Sequence, residues 1–351
     1  MSFYSLRRRF CALILLLLFV FSLLPMLFSC QDAEKEIKPQ KRIFYEYFDT
    51  VCVIYDYTGM EKSDLDTLMS GIESSLEYYH RLFDIYREYE GMSNLATVNR
   101  LAGQGPVKVS REICEMLTFS KEMYDLTHGR VNVAMGSVLS LWHKIRALPE
   151  GERYIPTESE LSSLGEHTSI DSIVIDTEAL TVEITDAECS LDVGAIAKGY
   201  VAERIKAELI KQGYSGIVLD LGGNLCTVGS KPGGEGWTSG IRNPLYPDTS
   251  DEPYVRTVTL LGDSLVTSGV YERYFILDGK RYHHIIDPET LMPEQRYLSV
   301  SVRAKSSALC DALSTAVFNM SSEEAQALIA AFDSEIEITL VYPDGEYTIL
   351  K

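Results

Sequence analysis

The sequence predicts an α+β fold, mostly antiparallel strands with packed helices, arranged as two lobes. Three observations predict it. Leu65, Met69, Ile72, Leu76, Tyr79 and Phe83 recur at spacings of four and three, the pattern of an amphipathic helix. From Ile217 onward the texture changes to short β-branched or aromatic segments separated by Gly, Asp and Pro. Helical patterns return near the end of the chain, so helices interleave with hairpin-spaced strands.

Taken in order, the elements begin with a segment that decides the compartment. Arg7, Arg8 and Arg9 form a positive start, and Cys11 to Ser29 is an uncharged run rich in Leu and Phe that ends at Ser29-Cys30. This resembles a bacterial lipoprotein signal, with residues 1–29 removed and Cys30 carrying the lipid. The rival is an uncleaved anchor, because the apolar run comes close to the ~20 residues needed to span a bilayer. Pro25 and the terminal Ser-Cys pair favour cleavage. Both readings put the body of the protein outside the cytoplasmic membrane. Residues 30–42 are charged and poor in large apolar side chains, so they read as a tether, with one folded domain over 43–351.

Residues 42–57 are dense in β-formers and predict a strand or hairpin. The amphipathic helix follows, with Ser63 as its N-cap candidate. A second helix is expected from Ser110 to Thr127, stopped by His128-Gly129. Short strands at 173–176 and 181–184 precede a third helix, Ala195 to Gln212, ended by Gly213. Strands are then expected at 215–220, 224–229, 255–261, 264–268, 273–277, 282–286 and 297–303. Helices at 308–319 and 321–332 come next, the latter opened by the capping-box pattern Ser321 to Glu324. Two last strands flank the turn Pro343-Asp344-Gly345.

Composition excludes some partners. The formal charge is −19, and removal of the signal's three arginines takes it to about −22. Such a surface repels nucleic acid and anionic lipid, and no basic cluster offsets it, so DNA and RNA are excluded as partners. Cys52, Cys114, Cys189, Cys226 and Cys310 show neither a CxxC pair nor the spacing of a zinc site, and read as small buried hydrophobes.

Several segments carry candidate chemistry. Asp311 and Thr315 stand one helical turn apart, so they face the same way and can offer two oxygens to one hard cation. The bland alternative for an acid near a helix start is dipole compensation. His284 is the best base among the six histidines, set in a strand-and-turn context crowded with polar residues. His283 would point to the opposite face of a strand, and Asp287 reads as the cap of its Asp-Pro turn. The run Leu191 to Tyr200 places Gly194 and Gly199 around small residues at a strand-to-helix junction, where free N–H groups favour an anion. Lys198 adds positive charge there and Asp192 an acceptor, although such small residues also let helices pack closely. Asp220 to Asn224 is a glycine turn, read equally as a tight hairpin with φ > 0 or as backbone approaching a ligand. Trp237, one of two tryptophans, is read as packing beside an Arg-Asn-Pro turn.

In this order, the segments resemble the ApbE family of FAD:protein FMN transferases over nearly all of residues 44–350. The resemblance rests on Phe48-Asp49-Thr50, Tyr86-Arg87-Glu88 with Ser93 and Asn99 downstream, Leu139 to Trp142 and Asp192 to Gly199. It continues through Leu221-Gly222-Gly223, Gly240 to Pro244, Thr267-Ser268-Gly269, His284 to Pro288 and Asp311 to Thr315. Any one of these is weak; nine in sequence are specific. The resemblance implies an ApbE-like fold and a reaction that cleaves FAD at its pyrophosphate, passes FMN through its phosphate to a Thr or Ser hydroxyl of an acceptor flavoprotein, and releases AMP. It implies that Asp311, Thr315 and the carbonyl of Ala195 hold Mg²⁺. It further implies that Phe48, Tyr86, Arg130, Val131, Asn132, Asp192, Lys198 and Ile285 line the FAD site, and that His284 is the base. The implied acceptor is exported or membrane-bound, of the FMN-binding-domain type.

The chemistry is consistent with those roles. Breaking a pyrophosphate needs charge neutralised on the transferring and leaving groups, which a magnesium ion supplies while keeping water or phosphate oxygens as most of its ligands. A hydroxyl needs a base within reach, and the two aromatics could stack on a ring of the nucleotide. Departures from the family pattern are Asn132 where an aspartate is usual, Ala134 where threonine is common, Cys310 before the metal aspartate, and Met292-Pro293 in place of Gly-x-Pro. Two alternatives keep parts of this reading: an FAD pyrophosphatase with water as acceptor, and a non-catalytic flavin-binding lipoprotein.

Overall fold

The computed structural model describes residues 38–245 and 252–351. The signal segment 1–29, the Cys30 lipidation site and most of the tether lie outside the described residues. The chain divides after Lys38, and Pro39–Lys351 form one compact unit.

Its centre is an eight-stranded sheet. The strands are β1 (Gln40–Phe44), β2 (Cys52–Asp56), β6 (Ile217–Leu221), β7 (Asn224–Val228), β10 (Ser264–Gly269), β13 (Ser299–Ala304), β14 (Glu337–Val341) and β15 (Tyr347–Leu350). They lie in the order β1-β2-β6-β7-β10-β13-β14-β15, and every neighbouring pair is antiparallel. Both faces of the central strands are covered, so β14 is buried along its whole length instead of alternating. Smaller sheets are made by β3 (Val107–Lys108), β5 (Thr181–Ile184) and β4 (Ile173–Asp176), by β8 (Trp237–Arg242) with β9 (Tyr254–Leu260), and by β11 (Tyr274–Leu277) with β12 (Lys280–His283).

The helices are α1 (Lys62–Phe83), α2 (Leu95–Arg100), α3 (Arg111–Leu126), α4 (Gly136–Ala147), α5 (Glu158–Gly165), α6 (Ala197–Lys211), α7 (Ser307–Phe318) and α8 (Ser322–Ile329). The apolar stripe of α1 is buried at Leu65, Met69, Ile72, Leu76 and Phe83, as its spacing requires. Its N-cap is Glu61, without a side-chain cap bond, so Ser63 lies inside the first turn. The Ser321/Glu324 capping box of α8 is complete in both directions. Helix α7 packs on β10 and β13 and against α6. Gly199 permits that last approach: a Cβ there would sit 2.3 Å from the Ser307 carbonyl and 2.5 Å from Asp311 Cβ.

One strand boundary is corrected, and several elements were not anticipated. Strand β12 ends at His283, because Ile286 leaves the ribbon to bridge Pro293; His284 therefore stands on a connection. Trp237 packs as read, at 5% exposure, and it also opens a strand paired along β9 that the sequence reading did not place. Helices α2, α4 and α5 were not anticipated. Trp142 of α4 belongs to a second apolar cluster with Met135, Val138, Leu161, Phe275 and Ile286, separate from the large core under the sheet.

Candidate active site

A cavity of about 810 Å³ is lined by residues of the large core, such as Val131, Val193 and Val266, and by Met135 of the second cluster. That volume suits a nucleotide-sized ligand. Phe48, Tyr86, Arg130, Val131, Asn132, Asp192, Ala195, Lys198, His284, Ile285, Asp311 and Thr315 all line it, so segments scattered over 268 positions of sequence meet around one space.

One pole of the cavity is built by α6 and α7. Asp311 is 3% exposed, and its Oδ2 accepts the Gly199 N–H at 2.8 Å. In a regular first turn that N–H would go to the Ala195 carbonyl, which takes no backbone hydrogen bond among the described residues. Lys198 Nζ donates to the Gly194 carbonyl at 3.1 Å and stands 3.8 Å from Asp311 Oδ2. Burial pushes the Asp311 carboxyl above the usual carboxylate range, and Lys198 works against that shift. Thr315 Oγ1 lies 3.4 Å from Ser268 Oγ, which is held more tightly by Ser314 at 2.8 Å. Asp192 Oδ1 accepts the Gly194 N–H at 2.9 Å and so shapes the turn that starts α6. Among the described residues no three His, Cys, Asp or Glu side chains gather as a metal cluster.

The two adjacent histidines have different lives. His283 is buried; its Nδ1 accepts the Ile285 N–H at 3.2 Å and its Nε2 meets the Glu294 carbonyl. An acceptor at Nδ1 and a carbonyl at Nε2 define the neutral Nε2–H tautomer, in keeping with a pKa pushed down to about 4 by burial. His284 Nδ1 is buried without a partner, and burial together with the cation Arg273 pushes its pKa down to about 3. It is therefore a neutral imidazole whose Nδ1 is buried and unpaired. Asp287 caps its turn as expected, accepting the Glu289 N–H at 2.7 Å.

The remaining lining residues divide by how their side chains are used. Phe48 and Asp49 adopt φ of 55° and 50°, a left-handed turn braced by His80 Nδ1 on the Phe48 N–H at 3.3 Å and by Arg273 on the Asp49 carbonyl at 3.1 Å. Tyr86, 65% exposed at the mouth, meets His143 Nδ1 through its hydroxyl at 3.2 Å. Arg130 ion-pairs with Glu289 at 3.0 Å, Glu324 at 3.4 Å and Asp287 at 3.8 Å. Asn132 donates to the Thr168 carbonyl at 2.8 Å and accepts from the Ala134 N–H at 2.9 Å. In these last two, the side chains bind protein and the backbone is what remains for a ligand. Val131 and Ile285 supply buried apolar wall.

Sequence reasoning missed several residues. Asn319 lines the cavity one turn beyond Thr315, and its Nδ2 reaches the Thr315 carbonyl at 3.3 Å, the Arg130 carbonyl at 3.3 Å and the Ile286 carbonyl at 3.4 Å. The spacing of Asp311, Thr315 and Asn319, each four apart, was the available signal. Arg273 and His143 also line the cavity, and nothing in their local sequence marks them; Asp220, which opens the glycine turn singled out above, lines it as well.

The fold and this cavity define an antiparallel α+β protein with a ligand site where two apolar clusters meet. The sequence matches the ApbE family over residues 48–340, and the chain belongs to that family. A protein named FAD:protein FMN transferase from Treponema pallidum is 31% identical over 307 residues, covering 84% of this chain and 82% of its own. One of the same name from Klebsiella pneumoniae is 30% identical over 257 residues, covering 71% and 77%. The crystal structure of the ApbE protein from Thermotoga maritima superposes with a TM-score of 0.77 at 24% identity, over 90% of this chain and 97% of that one. The flavin transferase ApbE from Vibrio cholerae gives 0.72 at 25% identity, over 90% and 98%.

Proposed function

We propose that this protein is an FAD:protein FMN transferase. It takes FMN from FAD, joins it through a phosphoester bond to a Thr or Ser hydroxyl of an acceptor flavoprotein, and releases AMP. The observation that carries the reading is the meeting of His284, a neutral imidazole, and the Asp311/Thr315 pole in one nucleotide-sized cavity. The relatives' names supply the substrate and product.

The residues of the pole fit a small hard cation. A buried carboxylate that keeps one ordered hydrogen bond, a hydroxyl one turn away and a carbonyl released from its helix are oxygen donors of the kind Mg²⁺ accepts. Asp311, Thr315 and Ala195 would hold it, and when bound it supplies charge neutralisation to the diphosphate. The protein's own groups do the rest. Phe48 and Tyr86, which both line the cavity, would bound the rings of FAD. Lys198 and the Gly194 turn favour the anionic diphosphate. His284 removes the hydroxyl proton of the acceptor as that oxygen attacks the FMN phosphorus, the P–O bond to AMP breaks, and AMP leaves as the anion.

The same reading places the domain on the extracytoplasmic side of a bacterial membrane, held through lipid on Cys30; Arg7 to Arg9 and the apolar run to Ser29 support this. The acceptor is then exported or membrane-bound and of the FMN-binding-domain type. The test is to incubate residues 31–351 with FAD, Mg²⁺ and such a domain and record its intact mass. An FMN-sized gain on a Thr or Ser, lost with EDTA and with Asp311→Ala, is expected. No gain on any acceptor, with AMP still released, would make the protein a pyrophosphatase.

A further inference from the structure

The glycine turn at 220–224 leaves an unexplained group. Gly222 and Gly223 adopt φ of 66° and 86°, and the Gly223 N–H donates to Asp220 Oδ1 at 2.9 Å, so the hairpin reading is met by backbone geometry alone. The turn nevertheless delivers Asn224 to the cavity wall, fully buried at 0% exposure, with neither Oδ1 nor Nδ2 within hydrogen-bond geometry of a partner. A buried carboxamide with two unmet atoms costs stability that an apolar side chain of the same shape would not. Asn224 also acts on Asp311: it is near enough to favour the ionised carboxyl, though short of a formed bond.

We infer that Asn224 is a positioning residue of the cation pole, its amide N–H steering the Asp311 carboxylate and its Oδ1 taking a water carried by the ion. This rests on the reading that Asp311, Thr315 and the Ala195 carbonyl hold Mg²⁺. A side chain that holds a metal ligand in place in this way sets metal affinity without touching the metal. A neutral amide suits the place, since it adds no charge that would attract other cations and can serve a carboxylate and a water at once.

The experiment uses Mg²⁺ alone as the probe on the substrate-free protein, wild type, Asn224→Leu and Asn224→Ala. Thermal unfolding and calorimetric titration are read, and the Mg²⁺ concentration for half-maximal FMN transfer is measured in parallel. Expected are a metal-free Tm that is unchanged or higher in the variants, a Mg²⁺ affinity weaker by about 10-fold or more, and a kcat retained at saturating Mg²⁺. The two variants guard against a single one that fails to fold. A lower metal-free Tm with unchanged Mg²⁺ affinity would make Asn224 a structural residue and overturn the inference. If wild type itself shows no response to Mg²⁺, the cation reading falls and the inference with it; if wild type responds and both variants match it, the inference alone falls.

Discussion

The Gly199 N–H donates to the Asp311 carboxylate at 2.8 Å, and that one bond joins the first turn of α6 to the polar face of α7. It also frees the Ala195 carbonyl from its helical partner. Helix packing and the proposed oxygen donor set thus share a single contact, in which the missing Cβ of Gly199 is as necessary as the N–H.

Gly199→Ala therefore tests both. The new methyl would lie 2.3 Å from the Ser307 carbonyl, backbone that cannot swing away, so α6 and α7 must separate. Overpacking of this kind costs about 1–3 kcal/mol. Thermal unfolding is expected to shift down, with transfer activity falling further than the loss of folded protein explains.

Asp311→Asn separates stability from function. Burial raises the Asp311 pKa in the folded state, so the ionised form is disfavoured by folding. The sign follows: above the unfolded pKa this carboxylate subtracts stability, and the penalty fades as pH falls through the raised folded value. At neutral pH and without metal, the variant is expected to melt at or above wild type in calorimetry, while FMN transfer drops by about 100-fold or more on the scale of a lost charge-stabilising group.

For His284, a folded pKa near 3 keeps the imidazole neutral through the ordinary working range. The folded value lies below the unfolded one of about 6.5, so the stability present above that pH declines as pH falls from it towards the folded value. In the proposed role of base, the imidazole stays unprotonated over the same interval. The acid limb of kcat/KM for FAD is accordingly expected well below pH 6.5, the ordinary imidazole value. His284→Ala should abolish transfer yet leave FAD binding measurable by fluorescence quenching.

His283 sets up its neighbour. Replacing it by Leu strands the buried Ile285 N–H, whose orphaning costs about 1–3 kcal/mol, and leaves the part-buried Glu294 carbonyl without its partner. His283→Leu is expected to lower Tm and kcat together, while His283→Gln, able to accept and donate, recovers most of both.

Much of this was legible in the chain. The spacing of Leu65 to Phe83, the Ser321/Glu324 box and the Gly222-Gly223 turn are local rules that the fold obeys. What escaped was decided by distant partners. Helix α4 depends on burying Trp142 against Phe275 and Ile286, residues more than a hundred positions away. Strand β8 depends on β9 across the connection 243–253, so the Arg-Asn-Pro turn dominated its local pattern. His284 read as a strand residue because the apolar pair Ile285-Ile286 follows it; the Ile286–Pro293 bridge turns the chain instead. Arg130 could be assigned to the cavity from sequence, but its three carboxylate partners come from two later segments.

In the proposed reaction one cavity joins FAD cleavage to flavin attachment, and the stoichiometry of products tests that link. AMP released and acceptor flavinylated are counted in the same reaction at limiting FAD. One AMP for each FMN-bearing acceptor is expected, with both falling together in His284→Ala. AMP in large excess over flavinylated acceptor, or flavinylation that persists without His284, would contradict it.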